Sequence, residues 1–572
     1  PPMWYWTTGA VLKATGSYEE FTFRAITVAS AFVCAAMIYA LGCRWFNRRA
    51  ALLAGFMWPA MLLQFRMCYL AATDMLLTVW IIGAVMCVDR VLWHRAASGR
   101  RWTWLVGFYA CMIFAGLTKG LGLINWCILG VMVAGVSACW AEPADAKAVR
   151  PFKQERLNDV GLIPQRWWRA MVRCQVWWGI VAFAIVVGSL FYFMLVRGGE
   201  AFREMLSFEY GQRTTGSGES PPQASAIPAA LHLIYYTLPV SVFALAALAL
   251  EQPCRWFSRH GATLLPLAWI IAVTLPFSMA YGFRPDYLLP CFPAIALLGG
   301  WGADRLIRVA GNPTRGESLV RHIFAATTLA VGLACAGLAL AFVLAGRSAG
   351  VAEMLDLTWP ASAGSVKVAL LWAMVPAGLA VVALGIYLSL KWRIGAMVAL
   401  ACIGMLGVGF VDGNFLSRHA RTGDGDKMVA FAHYVRDAIG GEAFVLVRAG
   451  KLGVEPFLGR FGHPLGYEGD GAKLLAELNA SDAPMIITCD RGLVSIGAAT
   501  PDAEADYRVK VAGEKRRFRT HPGQLGEVLV VGDSIESQMW GRTYLIRRAP
   551  GEAIVVTGEP IKTDFLSGAM DE

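Results

Sequence analysis

Runs of about twenty apolar residues, separated by short loops, follow one another through the first 412 positions. A run of that length can cross the hydrocarbon of a bilayer as a helix. No water is available there to satisfy the backbone, so a chain of this kind has to fold as a bundle of helices. Twelve candidate spans are legible: 25–43, 51–70, 75–93, 103–118, 121–140, 176–196, 229–249, 262–282, 286–303, 322–345, 366–390 and 394–412. The turns at 71–74 and 119–120 are so tight that the helices they join must pack as antiparallel hairpins. Composition agrees: 56% of residues are hydrophobic and 16% charged, with mean hydropathy +0.50. A soluble domain is about 25% charged.

Lys and Arg collect in every second loop. Arg44, Arg48 and Arg49 form one group, Arg90 to Arg101 another, and Lys147 to Arg173 a third. Arg255 and Arg259, Arg305 to Arg321, and Lys391 with Arg393 complete the set. The intervening loops hold only Lys119, Arg197, Arg203, Arg213, Arg284 and Arg347. The basic loops are therefore expected on the cytoplasmic side, and residues 1–24 and everything after 412 outside. The net charge of +10 is a topology signal, not a nucleic-acid footprint. Both ends outside implies one more span before Pro1, which fits an opening, PPMWYWTTGAV, too polar and aromatic for a signal peptide.

Twelve of the thirteen Cys lie before the polar C-terminal third, nearly all in apolar runs where they act as small hydrophobes. Cys489 stands alone in that third, which excludes an internal disulfide there, and no spacing suggests zinc. After Gly413 the pattern changes. Residues 427–439 and GAKLLAELNA have helical spacing; AFVLVRA (443–449), MIITCD (485–490), EVLVVGD and TYLIRRA read as strands. The expectation is an α-helical polytopic membrane protein, domain 1–412, followed by an extracytoplasmic α/β domain, 413–572. The Asp-x-Asp of GDGD (423–426) precedes a helix and reads as a cap; TGSGES (215–220) lacks the strand and helix of a phosphate loop.

A few ionisable residues stand at the outward ends of apolar runs: Arg24, Arg66, Asp74, Lys119, Glu209, Arg213, Arg284 and Asp286. Arg66 and Arg213 suit snorkelling. Asp74, in YLAATDMLLTVW, occupies a turn with no polar spacer; a helix cap would explain it, and acids at such depth mark sites. In YGFRPDYLLPCFPAIALLGGW (281–301), Pro285, Pro290 and Pro293 hold Arg284 and Tyr287 at the outer mouth of a helix. A guanidinium there can grip phosphate with two hydrogen bonds. A surface pair between Arg284 and Asp286 is the plainer alternative.

These stretches resemble bacterial GT-C glycosyltransferases, which include lipid A aminoarabinose transferases and relatives of protein O-mannosyltransferases. Residues 1–55 are similar to the region after the outer-loop motif Lys-Pro-Pro-Leu-x-Tyr-Trp. AATDMLLTVW resembles the family's Asp-containing turn, AGLTKG its Thr-Lys-Gly turn, SFEYGQR its Glu-His-x-x-Arg segment, and RPDYLLPCFPAIALLGG its Lys-x-x-x-Tyr-x-Leu-Pro-x-x-Pro. Order, spacing and sidedness agree over 1–303.

The resemblance implies inverting transfer of a sugar from a polyprenyl phosphate to a lipid, glycan or protein acceptor on the outer face of the bacterial cytoplasmic membrane. By it Asp74 is a supporting carboxylate, Arg284 and Lys119 hold the donor phosphate, and Tyr287 lines the donor pocket. Tyr210, Glu209, Arg213, Arg66 and Arg24 border that pocket. The family's main catalytic base would precede Pro1, so this stretch alone is expected to be inactive. Tyr210 replaces a His that can help to bind metal, which argues against a divalent cation. A transporter of lipid-linked or small polar substrates is the alternative; it predicts an internal repeat of broken helices, and none is legible.

Overall fold

A computed structural model describes residues 2–16, 20–68, 70, 72–92, 98–119, 163–206, 226–250, 264–279, 285–308, 315–345, 347, 365–391, 393–411, 424–440, 442–447, 463–465, 471–505, 507–511, 514–535, 541–548 and 553–560. Two compact units emerge. One comprises Pro1–Val11, Arg24–Ala341 and Leu370–Val411; the other comprises Leu12–Phe23, Phe342–Ala369 and Asp412–Glu572.

The first unit is helical. Six helices among the described residues are long and apolar enough to cross a membrane: Phe21–Trp45, Thr73–Leu92, Val176–Arg197, Arg321–Leu344, Ala369–Leu390 and Ile394–Val411. The expected span 121–140 lies outside the described residues. Two other expected spans are each broken. Arg48–Met57 and Leu62–Cys68 meet at 67°, and Ala229–Tyr236 and Val240–Ala249 at 112°; counting each pair as one span gives eight. Pro59 and Pro239 stand in the breaks, where a missing N–H and ring clashes interrupt the helical ladder. At the first break Trp58 Nε1 donates to the Ala31 carbonyl at 3.1 Å, which satisfies an indole buried among apolar side chains. Within the expected span 262–282 the described residues form helix Leu264–Met279. Residues 1–24, expected as loop, include helix Pro2–Thr15 and the start of helix Glu20–Trp45.

Helix Phe292–Arg308 is nearly all buried and packs against Arg48–Met57 and Val240–Leu250. Gly300 permits this: a Cβ there would lie 2.5 Å from the Ala50 carbonyl oxygen and 2.6 Å from Ala54 N. At one end of the bundle two buried carboxylates are neutralised. Asp89 pairs with Arg44 and accepts from Trp45 Nε1 at 3.2 Å. Asp304 pairs with Arg308 and accepts from Asn47 Nδ2 at 2.8 Å, while Asn47 Oδ1 caps helix Arg48–Met57.

The second unit contains eight described strands: β1 Phe444–Val447, β2 His463–Leu465, β3 Met485–Cys489, β4 Ala499–Pro501, β5 Tyr507–Val511, β6 Glu514–Thr520, β7 Glu527–Ile535 and β8 Gly541–Arg547. One sheet runs β2-β1-β3-β8-β7, with β1 parallel to β2 and β3, and β8 antiparallel to β3 and β7. The other is antiparallel, β4-β6-β5. Strands β1 and β3 are continuously buried because both faces are covered, Thr488 being the one hydroxyl among their apolar side chains. Phe444, Leu446, Met485 and Ile487 pack with Phe431 and Val435 of helix Asp424–Ile439. Val445, Val447 and Ile486 pack with Leu474 and Leu478 of helix Gly471–Ala480 and with Leu493 and Ile496.

Candidate active site

Asp74 lies in the first turn of helix Thr73–Leu92, one residue inside its start, and so is not the cap residue. The positive end of the helix dipole favours a carboxylate there. Its side chain is 6% exposed and pairs with Lys119 Nζ. Lys119 follows the last turn of helix Ser98–Thr118, its N–H still donating to the Ala115 carbonyl at 3.0 Å. The two residues meet because these helices pack as an antiparallel pair, placing the start of one beside the end of the other. The ammonium therefore turns to a buried carboxylate instead of capping its own helix.

A second carboxylate stands near Lys119. Asp286 Oδ2 is 3.9 Å from Nζ. It sits on the 3-10 helix Pro285–Cys291, where Pro290 interrupts what would otherwise be the start of helix Phe292–Arg308. The next residue, Tyr287, is buried, and its ring lies under the ammonium, 4.5 Å from Nζ to ring centroid. This is cation–π geometry. Phe277 stacks on Tyr287 at 5.2 Å, fixing the ring from helix Leu264–Met279. One cation is thus bracketed by two acids over an aromatic floor.

Of the residues expected in the site, Asp74, Lys119 and Tyr287 are brought together. Arg66 is exposed in the last turn of helix Leu62–Cys68, and Arg24 is half-buried near the start of Glu20–Trp45. Arg284, Glu209, Tyr210 and Arg213 lie outside the described residues. The contact of Asp286 with Lys119 and the stacking of Phe277 were not legible. Asp286 carries a signal in the sequence, a carboxylate beside Tyr287, but its neighbour Arg284 offered a local partner. No group of three or more potential metal ligands is found among the described residues.

Fold and sequence together carry the likeness of the GT-C glycosyltransferase superfamily. Residues 1–141 match the family model for dolichyl-phosphate-mannose-protein mannosyltransferase. The undecaprenyl phosphate-alpha-4-amino-4-deoxy-L-arabinose arabinosyl transferase of Enterobacter sp. (strain 638) is 27% identical over 313 residues, 54% of this chain and 50% of that protein. The enzyme of the same name from Erwinia tasmaniensis is 26% identical over 321 residues, again 54% and 50%. The chain's match thus spans about half the length of these curated relatives. In fold, the crystal structure of ArnT from Cupriavidus metallidurans bound to undecaprenyl phosphate superposes with a TM-score of 0.60 at 20% identity, covering 88% of this chain and 86% of that one.

Proposed function

We propose that this chain is the membrane glycosyltransferase its likeness suggests, moving a sugar from a polyprenyl phosphate to a lipid, glycan or protein acceptor with inversion. Residues 1–412 form the catalytic membrane domain in this reading, and 413–572 a domain on the outer face of the cytoplasmic membrane. The observation that carries it is Lys119, bracketed by Asp74 and Asp286 above Tyr287.

The chemistry follows from that arrangement. The acceptor oxygen attacks the anomeric carbon, the bond from that carbon to the phosphate oxygen breaks, and the acceptor proton passes to a carboxylate. Negative charge then develops on the departing phosphate, where a positioned cation stabilises it more in the transition state than in the ground state. Lys119, with Arg284 from the neighbouring segment, supplies that cation. Asp74 holds Lys119 in place and shapes the site as a supporting carboxylate. Tyr287 offers the phosphate-proximal sugar an aromatic wall.

The test is transfer from radiolabelled polyprenyl-phosphate sugars, in membranes holding the full-length protein and its variants. Asp74→Asn and Lys119→Met are each expected to lower transfer by about 10²-fold or more, the scale of losing one electrostatic or acid–base group. Transfer that persists in both folded variants overturns the site; no transfer from any donor overturns the function.

A further inference from the structure

We infer that helix Ile163–Arg173 is an interfacial anchor: it lies along the basic-loop face of the membrane and holds anionic phospholipid headgroups there with Arg169 and Arg173.

The position of the helix follows from what comes after it. Only Cys174 and Gln175 separate it from the span Val176–Arg197, 22 residues long. A helix of that length uses up the hydrocarbon thickness, so Val176 stands at the edge of the bilayer. Gln175 has left-handed backbone, φ 54° and ψ 40°, which ends one helix before the next begins. Helix Ile163–Arg173 therefore does not prolong the span; it departs at the membrane surface. Two donors from helix Ser98–Thr118 secure its end. Arg101 Nη2 donates to the Arg173 carbonyl at 2.6 Å, and Tyr109 Oη to the Cys174 carbonyl at 2.7 Å.

Its side chains suit a lipid surface. The segment IPQRWWRAMVR has no acid, and none occurs between Asp159 and Glu200. Ala170 and Cys174 are buried in the bundle core, while Trp167, Trp168, Arg169 and Val172 are exposed. The rings of Trp168 and Trp177 lie 6.1 Å apart across the helix break, and Trp177 and Trp178 are exposed in the first turn of the span. Indoles gathered at the end of a span belong at headgroup level. A short basic helix that carries such rings lies in the plane of the interface. Arg169 and Arg173, four residues apart, are neighbours on the helix surface. Arg101 and Arg173 both lie near enough to the Cys174 thiol to act on it electrostatically, so a further guanidinium joins the group. The anion available to guanidiniums at that depth is a phospholipid phosphate, which each can grip with paired hydrogen bonds.

The test is hydrogen exchange of Ile163–Arg173 in the full-length protein, in nanodiscs of phosphatidylcholine alone or of phosphatidylcholine mixed with phosphatidylglycerol. Exchange of helix Thr73–Leu92 checks that the fold is intact. Phosphatidylglycerol should slow exchange about five- to 25-fold, the scale of one or two basic residues at an anionic surface. Arg169→Gln combined with Arg173→Gln should remove this lipid dependence, and the paired Lys substitutions should keep most of it. Arg169→Gln alone, at an exposed position, should lose about fivefold and decides the matter if the double variant does not fold. Equal exchange in the two lipids overturns the inference. So does a lipid dependence undiminished in folded Arg169→Gln, or one that survives in the folded double Gln variant.

Discussion

Asp490 shows how much one buried carboxylate can organise. It is 5% exposed and accepts from Thr520 Oγ1 and Tyr544 Oη, each at 2.7 Å, and from Arg542 N at 2.6 Å. Thr520 belongs to β6 and Tyr544 to β8, so this side chain joins the two sheets. Asp490→Ala would strand three donors and is expected to cost the second unit about 3–5 kcal/mol, read from the shift in its urea midpoint. In the site, Asp74 and Lys119 were legible because each is a charge at the tight apex between two apolar runs. The Asp286–Lys119 contact was not, because it depends on how the 3-10 helix meets the end of Ser98–Thr118. Sequence spacing carries no information about that crossing.

Among elements, legibility followed hydrophobic pattern. Strands β1, β3, β7 and β8 and helices Asp424–Ile439 and Gly471–Ala480 all coincide with segments whose apolar spacing marks them. Strands β5 and β6 escaped notice: VKVAGEKRRFRT is rich in Lys and Arg, and register places Arg508 opposite Arg517 and Lys510 opposite Lys515. Their hydrophobic signal is confined to few positions, Phe518 among them, so charge hides the period. The broken spans were read as single helices because a window of hydropathy is blind to direction, although Pro59 and Pro239 were in plain view. Close helix packing was equally invisible. Gly300→Val would push a branched side chain against the backbone of Ala50 and Ala54 and should destabilise the helical unit by about 1–3 kcal/mol or more, measured as a drop in thermal midpoint in detergent.

At the scale of the molecule, the second unit answers to pH through two buried groups. Burial pushes the Cys489 thiol in β3 up to about 12 from an ordinary 9.0. Burial and then the nearby Asp490 charge push the Tyr544 hydroxyl up from 10.0. Both groups are neutral when protonated, and above about pH 9 the unfolded chain releases these protons before the folded one does. The unfolded state then binds fewer protons, so stability falls as pH rises. Well below the ordinary thiol value of 9.0 neither group contributes appreciable slope. Denaturation of the second unit should therefore show an alkaline loss, first from Cys489 and then from Tyr544. Cys489→Ala should remove the part that begins near the thiol value. A slope unaltered by that substitution would mean the thiol is not held protonated by the fold. The likeness in fold extends over 88% of the chain while the curated sequence match covers 54%, as expected when packing preserves helices that sequence no longer matches.

Helix Thr73–Leu92 has a carboxylate near each end, and each finds its cation on a different neighbour. Asp89 is partnered by Arg44, 45 residues earlier, and Asp74 by Lys119, 45 residues later. During synthesis one partner is therefore already present when the helix emerges and the other is not. At roughly 5–20 residues per second, Asp74 waits about 2–9 s for its cation. Over that interval it must stay near water or be sheltered by an insertion factor. Membrane assembly thus acquires a direction: the basic-loop end of the helix is secured first, and the end that carries the candidate site is completed only when the next hairpin arm has been made.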